Sequence, residues 1–236
     1  MKQVRVIVIL LVVTFTFNVY AHKPIDTSGE ASRNDPIVIK NHQISWVAYN
    51  KLIEEFDVDY YKLLSVNQGE RIYLSLLIPQ IKRLKDFEPS IAVIGPSLGK
   101  DYDGLDKNSI QNLITLTNKD GIIVKQYRDE GNNFFEPFTQ TSYWEKQKMN
   151  IEAPLDGDYY VAVFDISGYA DKYVLSIGKE EKWGIRDLFK MPVIWWNVRM
   201  FVEKKWSTYT IAGIFLLLII ISLVFIIAKI KNLIFP

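Results

Sequence analysis

The middle of the chain, from about residue 37 to residue 178, carries apolar residues in short or alternating runs. Alternation with a period of two is typical of strands with one buried face, and few of these runs sustain a helical period. Gly, Asn, Asp and Pro cluster between the runs, where they favour turns. The pattern predicts strands at 37–40, 43–49, 59–66, 71–78, 90–94, 121–126, 148–151, 158–165 and 172–177.

Short strands at this spacing predict a mainly β domain, a β-sandwich or jelly roll. Residues 106–116 are predicted as one short helix. The segment at 22–36 is expected to be extended, the ectodomain to cover 37–180, and a long insert within it to cover 80–143.

The longest apolar stretch lies near the C-terminus. Residues 210–228 contain no charged side chain and consist mainly of Ile, Leu, Val and Phe. A helix needs about 20 such residues to cross a hydrocarbon core of about 30 Å. We therefore predict a transmembrane helix at 208–228 and a short cytoplasmic tail at 229–236, where Lys229 and Lys231 favour retention on the inner side.

The N-terminus has the pattern of a signal peptide at residues 1–21. Lys2 and Arg5 precede an apolar run at 6–17, and Ala21 supplies the small residue that cleavage requires. Cleavage after Ala21 would make His22 the mature N-terminus, whereas an uncleaved signal anchor is the alternative. In both cases the domain is exported, and cleavage predicts a single-pass type I protein of the cell membrane with its N-terminal domain outside.

The segment at 181–207, between the domain and the predicted span, is rich in tryptophan. Apolar residues recur there at a rough helical spacing, at Ile185, Phe189, Val193, Trp196 and Met200. Indole rings prefer the headgroup level of a bilayer, so we predict an interfacial segment, kinked near Pro192. Two alternatives are that these aromatic residues complete the core of the domain or that they contact a partner membrane protein.

Composition excludes several classes of function. The chain has 28 basic and 27 acidic residues, so no net field favours nucleic acid as a partner. It has no cysteine, which excludes disulfides, thiolate catalysis and Cys-ligated metals. An exported domain without disulfides is more common in prokaryotes, and a prokaryotic source is therefore expected.

Four segments resemble the pre-peptidase C-terminal domain, at 57–63, 69–74, 153–163 and 172–177. In order, they give an Asp-rich turn into an aromatic strand, a Gly turn into the next strand, a Pro and Gly turn into the penultimate strand, and a last strand. That family is a jelly-roll β-sandwich found on secreted prokaryotic enzymes. The resemblance implies an exported accessory or binding module rather than a reaction, and the insert at 80–143 departs from the family.

Two sets of side chains are candidate metal ligands. An N-terminal His22 offers an amine and a ring nitrogen to copper, with His42 as the second imidazole. Asp101, Asp103 and Asp106 surround a glycine turn, which is an arrangement that calcium can use. The alternatives are a frayed terminus for His22, a residue at a strand edge for His42 and a solvated acidic loop for the aspartates.

A third candidate site combines aromatic and polar side chains in the segment 132–144. Flat rings stack on apolar ligand faces while amides and carboxylates orient the ligand, so this segment is predicted to bind a sugar or a peptide. The residues are Phe135, Glu136, Phe138, Gln140, Tyr143 and Trp144. Packing of the insert against the sandwich explains the same aromatics, and Glu136 is equally explained as a structural hydrogen-bond acceptor.

No nucleophile elbow, zinc-protease motif or phosphate loop occurs in the chain, although a carboxylate pair for glycoside hydrolysis remains open. The sequence therefore predicts a non-catalytic surface module that binds another envelope component, a protein or a glycan. The alternatives are an exported copper- or calcium-binding protein and an accessory subunit of a membrane complex.

Overall fold

The structure is a computed structural model that describes residues 22–127 and 131–234; the predicted signal peptide at 1–21 lies outside the described residues. The described residues form two six-stranded sheets. The first sheet has the order β1 (Lys23–Pro24), β3 (Trp46–Lys51), β12 (Lys172–Ile177), β5 (Arg71–Pro79), β10 (Thr141–Glu152) and β9 (Asn132–Glu136). The second has the order β2 (Ile37–Ile39), β4 (Val58–Val66), β11 (Gly157–Phe164), β6 (Ser90–Pro96), β8 (Asp120–Lys125) and β7 (Lys100–Asp101).

The main core lies between the two sheets, and it follows from the alternation of side chains. In β12, Tyr173, Leu175 and Ile177 are fully buried in this core, while Val174 faces the opposite side. Leu63 of β4 and Val161 of β11 meet them from the second sheet. The predicted mainly β sandwich is thereby confirmed.

The outer face of the second sheet is covered by the insert. Ala92, Ile94 and Ile122 face outward there and pack against Ile110 of helix α1 (Lys107–Leu113). This covering explains why β6 is a continuous apolar run, because both of its faces are buried. The insert therefore contributes strands to both sheets.

The remaining helices follow the last strand. They are α2 (Ile185–Leu188), α3 (Met191–Phe201) and α4 (Lys205–Ile234), and a short 3-10 helix (Lys82–Leu84) follows β5. Pro192 lies in the first turn of α3. One helix ends at Leu188 and the next begins at Met191, so the helical path is interrupted just before Pro192, where a proline lacks only an N–H that would have no partner within the helix. The kink near Pro192 stays a prediction.

A buried polar bridge joins the two sheets inside the core. Asp59 of β4 accepts hydrogen bonds from the Tyr173 hydroxyl and from Asn50 Nδ2 (3.0 Å), and the Tyr173 and Tyr61 hydroxyls are 2.7 Å apart. Asn50 and Tyr173 belong to the first sheet. Burial raises the pKa of Asp59 from 3.8 to about 7, because the interior disfavours the charged carboxylate.

This raised pKa predicts a pH dependence of stability. The folded state holds the Asp59 proton that the unfolded chain loses above pH 4, so the free energy of unfolding falls as pH rises towards 7 and levels off above it. The loss is at most about 4 kcal/mol, from roughly three pKa units. Asp59→Asn cannot ionise, so its stability relative to the wild type should increase across this range, as measured by chemical denaturation of the detergent-solubilised chain.

The exposed Asp86→Asn is the matched control and should leave the slope unchanged. Wild-type and Asp59→Asn stabilities that run parallel from pH 4.5 to pH 8 would contradict the assignment.

Candidate functional site

Helix α3 lies across the outer face of the first sheet. That face carries Val47, Leu77 and Val174, and Val202, at the end of α3, packs against it. The rings of Tyr49 and Phe201 meet edge to face, with centroids 5.6 Å apart. The outward-facing apolar residues of β3 and β12 are therefore covered by the helix rather than by water.

The first described residues form one wall beside this helix. Lys23 N donates to the Ser45 carbonyl (2.9 Å) and Ile25 N to the Val47 carbonyl (2.8 Å), which adds β1 to the edge of the sheet. The Lys23 ammonium lies 2.8 Å from Asp187 of α2. The segment that follows the predicted cleavage site is thus fixed to both the sheet and the helical segment.

The turn between β9 and β10 forms the opposite wall. The Glu136 carboxylate accepts hydrogen bonds from Phe138 N (2.9 Å), Thr139 N (2.6 Å) and the Thr139 hydroxyl. The Thr139 and Thr141 hydroxyls are 2.7 Å apart, and Thr141 bonds to the Tyr143 hydroxyl at 2.8 Å. Glu136 therefore has the structural acceptor role that was one of its two interpretations.

A cavity of about 250 Å³ lies between these walls and α3. It is lined by His22, Val47, Tyr49, Phe134, Phe135, Glu136, Pro137, Phe138, Thr139, Glu181 and Ile194. A second groove, of about 480 Å³, lies beside residues 24–28 and shares Tyr49 and Ile194 with the cavity. The structure thus brings His22 and part of the predicted sugar- or peptide-binding segment 132–144 into one site.

Burial keeps two polar groups of the cavity uncharged. It lowers the pKa of His22, against the opposing charge of Glu136, and the His22 ring contacts the Ser45 hydroxyl and, at 3.5 Å, the Ser176 hydroxyl. Burial also raises the pKa of Tyr49 well above 10.0. Glu136 and Glu181 are the acidic side chains among the lining residues.

Only half of the residues predicted to bind a sugar or a peptide line the cavity. Phe135, Glu136 and Phe138 line the cavity, whereas Gln140, Tyr143 and Trp144 do not. The Gln140 side chain accepts from Arg199 at 3.3 Å, Tyr143 is buried under α3, and Trp144 packs against the core. The alternative of core packing therefore explains Tyr143 and Trp144, since β10 buries part of both its faces.

The two predicted copper ligands contact different groups. His42 Nε2 lies 3.6 Å from Glu70 Oε2, and burial lowers the pKa of this histidine. The His22 ring contacts the serines instead. Among the described residues, no three His, Cys, Asp or Glu side chains come together as a metal would require. The copper site stays a prediction.

The three predicted calcium ligands each accept local hydrogen bonds. Asp101 accepts from Asp103 N (2.9 Å), and Asp103 accepts from Gln126 N (3.0 Å). Asp106 caps α1 by accepting from Ser109 N at 2.8 Å. The calcium site also stays a prediction.

One functional residue was not found from the sequence. Arg199 of α3 is only 2 % exposed, and its guanidinium donates to the Thr139 carbonyl (2.7 Å), the Ser207 hydroxyl (2.7 Å) and the Thr208 hydroxyl (3.0 Å). It joins the β9–β10 turn to the first residues of α4. An arginine among tryptophans next to a predicted transmembrane helix resembles an interfacial charge, so nothing in the sequence indicated its burial.

Comparison with known proteins finds distant structural likenesses. No protein-family model matches the chain, and neither does any curated protein. A periplasmic inhibitor of g-type lysozyme, PliG from Aeromonas hydrophila, is 12% identical, with TM-score 0.32 over 67% of this chain and 95% of that one. The pre-peptidase C-terminal domain of a Bacillus anthracis collagenase is also 12% identical, with TM-score 0.30 over 68% and 99%.

A third likeness is to CorA, a surface-associated copper-binding protein of Methylomicrobium album BG8, at 8% identity and TM-score 0.27 over 68% and 98% of the two chains. A pre-peptidase C-terminal domain is thus among the similar structures, as the strand motifs predicted. At these TM-scores the likenesses support no conclusion about activity.

Replacing Arg199 should loosen the contact between the turn and the helices. Arg199→Met leaves the Thr139 carbonyl and two hydroxyls without their donor, which we expect to destabilise the fold by roughly 2–4 kcal/mol. Hydrogen exchange of the amides at 139–141 should accelerate, as measured by mass spectrometry on the full chain. The exposed Arg186→Met is the control, and unchanged exchange in Arg199→Met would show that Arg199 does not hold the turn.

Proposed function

We propose that this protein is a single-pass, membrane-anchored β-sandwich that lies against the outer surface of the membrane and binds another component of the envelope without catalysing a reaction. The described residues contain one helix long and apolar enough to cross a membrane, at Lys205–Ala228, and its residues 213–228 are exposed. The proposal goes further and concerns the position of the domain on the bilayer.

The observation that carries it is that α3 is apolar on two sides. Ile194, Val198 and Phe201 lie on the side facing the sheet and the grooves beside it. Val193, on the other side, is 61% exposed, and Phe189 just before the helix is 82% exposed. A helix that packs on a sheet needs only one apolar side, so a second one indicates another apolar neighbour.

The position of α4 indicates that this neighbour is the bilayer. The rings of Trp196 in α3 and Tyr209 in α4 are 5.6 Å apart, so α3 lies at the level where the apolar helix begins. Trp206, also at this level, is 87% exposed. The exposed Arg186 and Lys190 lie beside the apolar residues, as in segments that bind the headgroup layer.

The geometry of the cavity favours binding over catalysis. Both oxygens of Glu136 are used to hold a turn, and the His22 ring contacts two serines instead of a carboxylate that would orient it as a base. The walls are mainly aromatic and aliphatic, which is typical of a recognition site. A metal-binding role has no comparable support among the described residues.

The position of α3 can be tested with single labels, because the chain has no cysteine. Val193→Cys and Val38→Cys each give one labelling site at an exposed valine, 61% and 48% exposed respectively. Val38 is the matched control because it lies in the opposite sheet, where its neighbour Ile39 points into the core. In nanodiscs, nitroxide lipids should quench a bimane label at 193 at least several-fold more than one at 38.

Equal quenching at the two positions, or better access of an aqueous quencher to 193 than to 38, would overturn the proposal. A label at 193 that is protected from both quenchers would indicate a protein partner on α3 instead of lipid.

The predicted export signal has a separate test. We expect the intact mass of protein extracted from membranes to correspond to a chain that begins at His22. A mass that begins at Met1 would show that the leader is retained, and the domain would then be held by two apolar segments.

A further inference from the structure

The cavity beside α3 has walls of aromatic rings on an exposed strand. Phe134 and Phe135 of β9 are 39% and 56% exposed, and Phe138 follows in the turn. Tyr49 closes the floor on the side of the sheet. Water-exposed phenylalanines that surround a concave site favour a ligand that removes them from water.

The charged side chains that line this cavity are all acidic. Glu136 and Glu181 are the two carboxylates, and no lysine or arginine is among the lining residues. Three cationic side chains in neighbouring segments have other partners: Lys23 pairs with Asp187, and Arg199 and Lys204 donate to the carbonyls of Thr139 and Gln140. The His22 ring is neutral at pH 7, because burial disfavours its charged form. Cleavage after Ala21 would add the α-ammonium group of His22 beside the cavity, which would offset one of the two carboxylates and leave the other for a ligand.

Aromatic faces and carboxylates together recognise organic cations. The negative face of a ring attracts an ammonium group, and this attraction strengthens when the group leaves water. A neighbouring carboxylate adds a charge interaction that a neutral molecule of the same shape would lack. An anion would be repelled by both features.

We propose that the cavity binds a small organic ammonium group, a primary or quaternary amine, whose charge is held by the aromatic faces and by Glu181. This inference rests on the proposed binding role and names the ligand class of the same site. The volume of about 250 Å³ suits an amine headgroup rather than a drug-sized molecule, for which pockets run to about 300–1,000 Å³. The amine belongs either to a free solute or to a lipid headgroup.

The test uses the full mature chain in nanodiscs of phosphatidylglycerol, which carry no amine. Choline and ethanolamine are titrated by calorimetry, and 3,3-dimethylbutan-1-ol serves as the neutral isostere of choline. We expect saturable binding of at least one amine and at least about tenfold weaker binding of the isostere. No saturable binding of either amine to folded protein, or equal affinity for choline and its isostere when choline is the amine that binds, would overturn the proposal.

Two variants separate the aromatic and the electrostatic contributions. Phe138→Ala should weaken amine binding about tenfold by removing one ring face, within the range of a desolvated cation–π contact. Glu181→Gln should weaken it about threefold or more, and this exposed residue can be changed without affecting the fold. The control Glu88→Gln, an exposed acid that does not line the cavity, should bind like the wild type; unchanged affinity in both cavity variants would refute the assignment.

Lipid composition identifies the source of the amine. Nanodiscs that contain phosphatidylethanolamine or phosphatidylcholine should raise the apparent Kd of the free amine if the headgroup occupies the cavity, and should leave it unchanged if the natural ligand is a solute. The label at position 193 reports membrane docking independently of these titrations. A negative result in the amine titrations therefore does not affect the proposed position on the bilayer. A negative result in the quenching experiment at position 193 does not affect the titrations.

Discussion

The arrangement of the C-terminal helices and the β9–β10 turn depends on one buried cation. The Arg199 guanidinium lies between α3, the β9–β10 turn and the first turn of α4, where its acceptors include a carbonyl, a side-chain amide and two hydroxyls. Burial lowers its pKa, but arginine stays charged under all ordinary conditions. A buried charge is tolerated only when its donors are satisfied, so these acceptors cannot move independently of it.

Because the acceptors of Arg199 cannot move independently, the part of the cavity wall that contains them is held in place as well. Thr139 is at once a partner of Arg199, a donor to Glu136 and a lining residue. The turn that carries Phe138 is thus held from one side by a carboxylate and from the other by a guanidinium. Since the same guanidinium bonds to residues at the start of α4, the cavity has a set position relative to the apolar helix. A site built in this way is presented at a constant height if α4 spans the membrane.

Regular alternation and long apolar runs could be read from the sequence, and interactions between distant segments could not. The strands at 59–66, 71–78 and 172–177 were predicted almost to the residue, because their inward and outward positions alternate. Strand β9 was missed because Asn132 to Glu136 face solvent or the cavity and have no buried side to give a period. The position of Pro192 in the first turn of α3 could not be read either, because a sequence shows a proline but not where its helix begins.

The candidate site shows the same division. Aromatic composition alone marked the segment around Phe135 and Phe138, but only the fold shows which rings face the cavity and which enter the core. His22 was singled out for its expected place at a new terminus, and the structure places it in the cavity for a different reason: β1 pairs with β3 in a register that sets His22 beside Ser45. Pairing across 23 positions is a property of the sheet, not of either segment.

Two polar clusters give this disulfide-free domain a definite geometry. Apolar faces attract without direction, so α3 alone could slide over Val47, Leu77 and Val174 at little cost. Arg199 limits such sliding, because its donors have a fixed planar geometry and each displaced acceptor would be left unsatisfied. Asp59 and Tyr173 act likewise between the sheets, where a shift of register would separate the carboxyl from its partners. Burying these groups costs stability, but it specifies a single arrangement of sheets, turn and helices. The surface proposed to lie at the membrane requires such a fixed arrangement.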